Sequence, residues 1–204
     1  MSVDMPTFTS EIRFTAGASS TGFELGTAIL GYSTLGTAAT WSDVSSDVRG
    51  LNIARGKQRE LDEFSSGSAS VTLSNTARTY DPSYAAGTYY GNIKPGRWIR
   101  ITATYDSVDY QLYQGVIREW EFGYSFPNEA VAVPRASDFM EDLNGADITT
   151  TTSAAISGAV VGEILNAANI LPRSLDTGQE TFQSVSLASA NALTAIQLAD
   201  KSEG

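Results

Sequence analysis

Two residue types are missing altogether and cations are scarce. The chain of 204 residues has no cysteine and no histidine, and its 13 lysines and arginines face 23 aspartates and glutamates. Without cysteine there is no disulfide and no thiolate nucleophile or metal ligand, so nothing in the chain depends on redox compartment. Without histidine, a Ser-His-Asp triad, a Cys-His pair or a histidine-ligated zinc cannot be built from this chain alone. The net charge of −10 argues against general nucleic-acid binding, because phosphate contacts need a basic surface. An acidic surface suits solubility before assembly, or a channel wall along which DNA passes without sticking. No apolar run approaches the length of a bilayer-spanning helix. The N-terminal stretch through Phe14 lacks the charged-then-apolar layout of a signal peptide, and the expectation is synthesis in a cytoplasm. What is present is core material: 42% hydrophobic residues, enough for one large or two small domains.

The densest pattern runs from Trp41 to Pro82. Trp41 to Val44 is an aromatic anchor followed by a polar corner, where Asp43, Ser45 and Asp47 can each bond nearby backbone N–H groups. From Arg49 to Arg55, Leu51 and Ile53 alternate with Gly50, Asn52 and Ala54, which predicts a half-buried strand. The basic stretch Arg55 to Arg59 abuts the acidic Glu60 to Glu63. Ala69, Val71 and Leu73 then alternate with Ser68, Ser70, Thr72 and Ser74, a second strand. Asn75 to Pro82 reads as a loop, since Asp81 before a proline is held out of the helical region.

These positions resemble the minor tail proteins of siphophages and prophages, of the tail-tip or baseplate hub type. The matching residues are Trp41, Asp43 and Val44; Val48, Arg49, Leu51, Ile53, Arg55 and Gly56; Glu60, Leu61, Asp62, Phe64, Gly67, Ala69, Val71, Leu73 and Asn75; and Arg78, Tyr80, Asp81 and Pro82. The likeness continues through Tyr89, Tyr90 and Lys94 to Arg97 into Ile99 to Ile101. The resemblance implies a structural protein of the virion: an N-terminal tail-tube-like antiparallel β-barrel or sandwich, joined in a ring at the distal end of the tail tube. It implies a homotrimeric hub meeting distal-tail, tube, tape-measure and fibre proteins, with DNA only as passing cargo, no cofactor and no metal. It also implies further β structure, including a second tube-like domain, beyond the last helix.

Elsewhere the pattern is β first and helix later. Phe8, Ile12 and Phe14 fall on one side of a first strand. Residues 16–40, rich in small residues around Phe23, Leu25, Ile29, Leu30, Tyr32 and Leu35, form either a packed excursion or a surface loop. Trp98 to Tyr105 and Tyr110 to Phe122 are strands joined through Asp106 to Asp109, and Glu129 to Val133 is another. Ser137 is the expected N-cap of a short helix carrying Phe139, Met140 and Leu143. A connector over Thr149 to Ser153 follows. A helix from Ser157 buries Val160, Val161, Ile164, Leu165 and Ala168 and ends before Pro172, and a last helix starts near Ser189 with Leu193, Ile196 and Ala199 on one stripe. The expected fold class is therefore α+β, mainly β: a β domain over 1–134 and a helical or mixed domain over 135–204, which the resemblance implies is continued by further chain in the family.

Candidate chemistry is sparse. Asp62/Glu63, Glu119/Glu121 and Glu141/Asp142 are the carboxylate pairs a glycan-cleaving enzyme would draw on, and Glu119 and Glu121 share one strand face, which is more often a solvated face. Asp43, Ser45 and Asp47 could hold calcium, but turn capping accounts for them better, because the glycine and distal glutamate of a calcium loop are lacking. Gly17, Gly22, Gly26, Gly31 and Gly36 come without the lysine of a phosphate loop. Trp98, Trp120 and the tyrosines would form the platform of a carbohydrate-binding receptor module. Subunit-interface candidates are Arg49, Arg55, Lys57 and Arg59 with Glu60, Asp62 and Glu63, as partners within the chain or across a joint. Tyr84, Tyr89 and Tyr90 are further candidates, as contact surface or core. The expectation is a non-enzymatic component of the phage tail tip.

Overall fold

The computed structural model describes residues 5–14, 40–55, 65–127, 129–170 and 175–203. The excursion over 16–40, apart from Thr40, and the basic-then-acidic run over 56–64 lie outside them. The chain divides into two compact units, the first made of the described residues up to Ala54 together with Ser68–Asp138, the second of Arg55, Ser65 to Gly67 and Phe139 onward.

Seven strands make one antiparallel sheet in the first unit. In chain order they are β1 (Thr7–Arg13), β2 (Ser42–Asp43), β3 (Val48–Ala54), β4 (Ser68–Ser74), β5 (Trp98–Tyr105), β6 (Val108–Ser125) and β7 (Glu129–Ser137), and in space β2-β1-β5-β6-β7-β4-β3. The period-2 alternation read from the sequence sets their faces. Ile12, Ala69, Val71, Leu73, Ile99, Ile101, Tyr113, Ile117, Ala132 and Ala136 point to one side and are buried in a single core. Phe8 shares that side of β1, but it lies half exposed.

The two edge strands follow one another in sequence, separated only by a 3-10 turn at Ser45–Asp47. A flat sheet would hold β2 and β3 about 29 Å apart, six spacings of about 4.8 Å. The chain from Asp43 to Val48 reaches no more than about 18 Å. The sheet must therefore curl until its edges approach, which is the barrel-like geometry expected from the resemblance.

Irregularities keep the core side continuous. A bulge between Ile117 and Glu119 shifts β6 by one residue. Trp120 and Phe122 thereby turn toward the core while Glu119 and Glu121 face outward. Pro134 sits inside β7, between β6 and β4, and has no N–H to give. It falls at the break in the β4–β7 ladder, which pairs Ser70 with Arg135 and resumes at Leu73 with Ala132. The β5–β6 connection is shorter than predicted: only Asp106 and Ser107 form it, both at positive φ of 50° and 62°, as a two-residue hairpin turn requires. At Gly115 a Cβ would come within 2.4 Å of the Ser137 carbonyl oxygen, so the close approach of β6 to β7 there demands glycine.

The second unit holds α1 (Phe139–Asn144), β8 (Asp147–Thr151), β9 (Ala155–Ile156), α2 (Ser157–Ala167), β10 (Thr181–Phe182), β11 (Ser186–Asn191) and α3 (Ala192–Glu203), with β8 paired to β11 and β9 to β10. Leu143, Ile148, Val160, Ile164, Leu165 and Leu193 form its core, the helical stripe expected for α2 and α3. Three sequence readings change. Ser137 ends β7, where its hydroxyl accepts from Arg118 Nε at 2.6 Å, and does not cap a helix. The threonine-rich connector is strand β8, since its β-branched residues pair with β11 and bury Ile148. Ser189 lies within β11, at a positive φ of 49° and inside the irregular stretch of its pairing. Asn191 caps α3, its Oδ1 accepting from the Thr194 N–H at 3.1 Å.

Candidate functional site

The Trp41 to Pro82 pattern resolves into two pinned corners. At the first, Asp43 Oδ1 accepts from both the Ser45 N–H (2.9 Å) and the Ser45 hydroxyl (2.5 Å). These bonds, the hydroxyl's first, hold the Asp43 carboxyl below its ordinary pKa. The Ser45 hydroxyl oxygen accepts from the Ser10 N–H, and the Val44 N–H donates to the Ser10 carbonyl, each at 2.9 Å. The corner is thereby stitched to β1. Trp41 lies under two guanidinium groups: Arg100, held on Glu11 by a bidentate pair, is 4.5 Å from the ring centroid, and Arg13 is 5.7 Å away. The expected aromatic anchor is thus a clamp on the outer side of β1 and β5.

The second corner begins where β4 ends. Asn75 is buried; its N–H donates to Ala130 at 2.7 Å, and its Oδ1 accepts from the Tyr80 N–H at 2.9 Å. From there backbone bonds link every third residue, from Arg78 back to Asn75, Asp81 to Arg78, Tyr84 to Asp81, Gly87 to Tyr84 and Tyr90 to Gly87. What reads as a loop in sequence is a run of successive turns. Asp81 stabilises it by accepting from the Ser83 N–H at 2.8 Å and from Arg78 Nε at 2.9 Å, and these bonds hold its carboxyl below the usual range.

The two corners meet at Tyr80. Its ring is buried and its hydroxyl donates to Asp47 Oδ2 at 2.7 Å. Burial first, and the bond to Asp47 second, push its phenol well above the ordinary value. The ring belongs to an aromatic stack of Tyr80, Tyr89, Phe14, Trp120 and Phe122, with Phe14 and Tyr89 centroids 3.7 Å apart. This stack joins the turn run to the sheet. Sequence reasoning missed it because the five residues come from four separate stretches.

The interface candidates separate. Tyr89 lies against Phe14, Tyr84 lies under the Arg78 guanidinium at 4.3 Å, and Tyr90 is half exposed. Arg49 and Arg55 are exposed at the two ends of β3 and make no ion pair among the described residues. Lys57, Arg59, Glu60, Asp62 and Glu63 lie outside the described residues.

The carboxylate pair Glu119 and Glu121 shares a single cation. Arg135 holds Glu121 at 2.8 Å and reaches Glu119 at 3.5 Å on an open strand face, the solvated arrangement. Glu141 accepts from the Ser66 hydroxyl at 3.0 Å. Trp120 is partly buried against the core with its Nε1 on the Lys94 carbonyl at 3.2 Å, so its face does not form a sugar platform. Among the described residues no group of three His, Cys, Asp or Glu side chains could hold a metal. In the second unit a hollow of about 160 Å³ is walled by Val160, Ile164, Phe182, Val185 and Leu198, with no titratable side chain in its lining.

No family model matches this chain, and no curated protein matches its sequence. Solved structures do match its fold. The 43 kDa tail protein of prophage MuSo2 from Shewanella oneidensis is 15% identical, with a TM-score of 0.51 over 81% of this chain and 47% of its own. The E. coli c3393 protein is a component of the type VI secretion system with structural similarity to T4 bacteriophage tail proteins gp27 and gp5. It is 14% identical over 73% of this chain and 42% of its own, with a TM-score of 0.41. This chain spans about half the length of each. The first likeness shows that the mainly-β sheet followed by a small helical region is the fold of a prophage tail protein.

Proposed function

We propose that this chain is a structural component of a bacteriophage tail, a minor tail protein of the tail-tip hub, and that it forms part of a ring at the distal end of the tail tube. The observation that carries this reading is the fold likeness to the prophage tail protein. In this reading copies of the chain, three to a hub, meet distal-tail, tube, tape-measure and fibre proteins after assembly in the host cytoplasm. Arg49, Arg55, Tyr84 and Tyr90 supply contact surface, and so do the charged residues of 56–64. A net charge of −10 suits a wall past which DNA moves without adhering. No chemical step is assigned: Glu119 and Glu121 share Arg135 on an open face.

The test is genetic. Particles produced from a genome lacking this coding sequence are expected to have no complete tails, with tails restored by supplying the protein in trans. Complete and infective particles would refute the reading. Complete tails that fail to adsorb would replace it with the receptor module.

A further inference from the structure

β3 is an edge strand with one side open. It pairs with β4 from Val48 to Ala54, and among the described residues no strand pairs with its other side. Arg49, Gly50, Leu51, Asn52 and Ala54 are all exposed and Ile53 is half-buried. Such an edge presents a row of unpaired N–H and C=O groups, which proteins usually blunt with proline, inward charge, bulges or shortness. β3 has a register shift between Val48 and Gly50, and then five residues, Gly50 to Ala54, with neither charge nor proline. The opposite edge, β2, is only two residues long.

We infer that the open edge of β3 is a docking site for an extended strand of another protein, added to the sheet by main-chain hydrogen bonds and carrying a carboxylate at each end. The ends of the site specify the charge: Arg49 starts it, Arg55 directly follows Ala54 in sequence, and neither makes an ion pair among the described residues. Main-chain pairing supplies affinity and the flanking charges supply register. The same charges disfavour a second copy of β3 as the occupant. The one antiparallel register that pairs Gly50 to Ala54 with itself in full sets Arg49 opposite Arg55, and like charges directly opposite are destabilising. This inference does not rest on the tail reading; it needs only the open edge and its two cations.

Two fluorescent peptides of opposite end charge test it on the full chain, Glu-Thr-Val-Thr-Val-Thr-Glu and Lys-Thr-Val-Thr-Val-Thr-Lys, read by anisotropy. The glutamate peptide is expected to bind about tenfold tighter than the lysine peptide. The double variant Arg49→Glu/Arg55→Glu, altered only at exposed positions, is expected to invert that order. Leu51→Pro, which removes an N–H from the open edge because the even residues of β3 turn theirs toward β4, is expected to abolish binding of both while near-UV circular dichroism stays native. Binding of neither peptide, binding without charge preference, or a preference that survives charge reversal would each overturn the inference. So would sedimentation showing that the native chain dimerises and that Leu51→Pro makes it monomeric.

Discussion

Two buried tyrosines of the first unit have opposite hydrogen-bonding states, and this is where single side chains matter most. The Tyr80 hydroxyl is bonded to Asp47 at 2.7 Å. The Tyr113 hydroxyl is buried with no partner among the described residues. Removing a bonded hydroxyl from a charged partner costs stability, whereas removing an unpaired buried one does not. Tyr80→Phe is therefore expected to lower unfolding free energy by about 1–2 kcal/mol, and Tyr113→Phe to leave it unchanged or raise it by up to about 1 kcal/mol. Urea unfolding followed by tryptophan fluorescence checks both. Burial raises both phenols, so the folded chain keeps protons that the unfolded chain releases from about pH 10 upward. The tyrosines' contribution is complete below that pH and is lost progressively as pH rises from there toward the raised values of the folded chain. Tyr113→Phe is expected to flatten the alkaline limb of the stability curve without a penalty at neutral pH. Equal losses at neutral pH from the two variants would contradict this assignment.

At the scale of elements, strand facing is the decisive claim. Val71 is fully buried and Thr72, beside it on β4, is not. A charge forced into the core is expected to cost about 3–5 kcal/mol for Val71→Asp. Thr72→Asp on the other face is expected to change stability by less than about 1 kcal/mol. Soluble yield and urea midpoints read the difference, and equal effects would show the facing to be wrong. This facing was legible in sequence because Ala69, Val71 and Leu73 alternate with polar residues, as Ile99, Ile101 and Ala103 do in β5. The bulge after Ile117 was not legible, because nothing local distinguishes a bulged residue from a paired one. Strand β8 was hidden because a threonine run reads equally as linker or strand until a partner, here β11, decides it. The start of α3 was misplaced by a serine that caps nothing, while the true cap, Asn191, sits two residues on. The site was legible only in part. Asp43, Ser45 and Trp41 form the expected corner, but the aromatic stack through Tyr80, Tyr89 and Phe14 depends on tertiary placement alone.

At the scale of the molecule, the two edges of a seven-stranded sheet are tied together by one corner, and that corner belongs to the densest sequence pattern. The pattern thus records what curls the sheet: Ser45 and Val44 on Ser10, Asp47 on Tyr80, and Trp41 under Arg100. The result is the fold of a prophage tail protein, on an acidic chain. Its proposed place at the distal tail is tested most directly by immunogold electron microscopy of intact virions, with antibodies raised against these 204 residues. Label confined to the distal end of the tail is the expected result. Label along the shaft or on the head, or no label on tips shown to be accessible, would contradict the account.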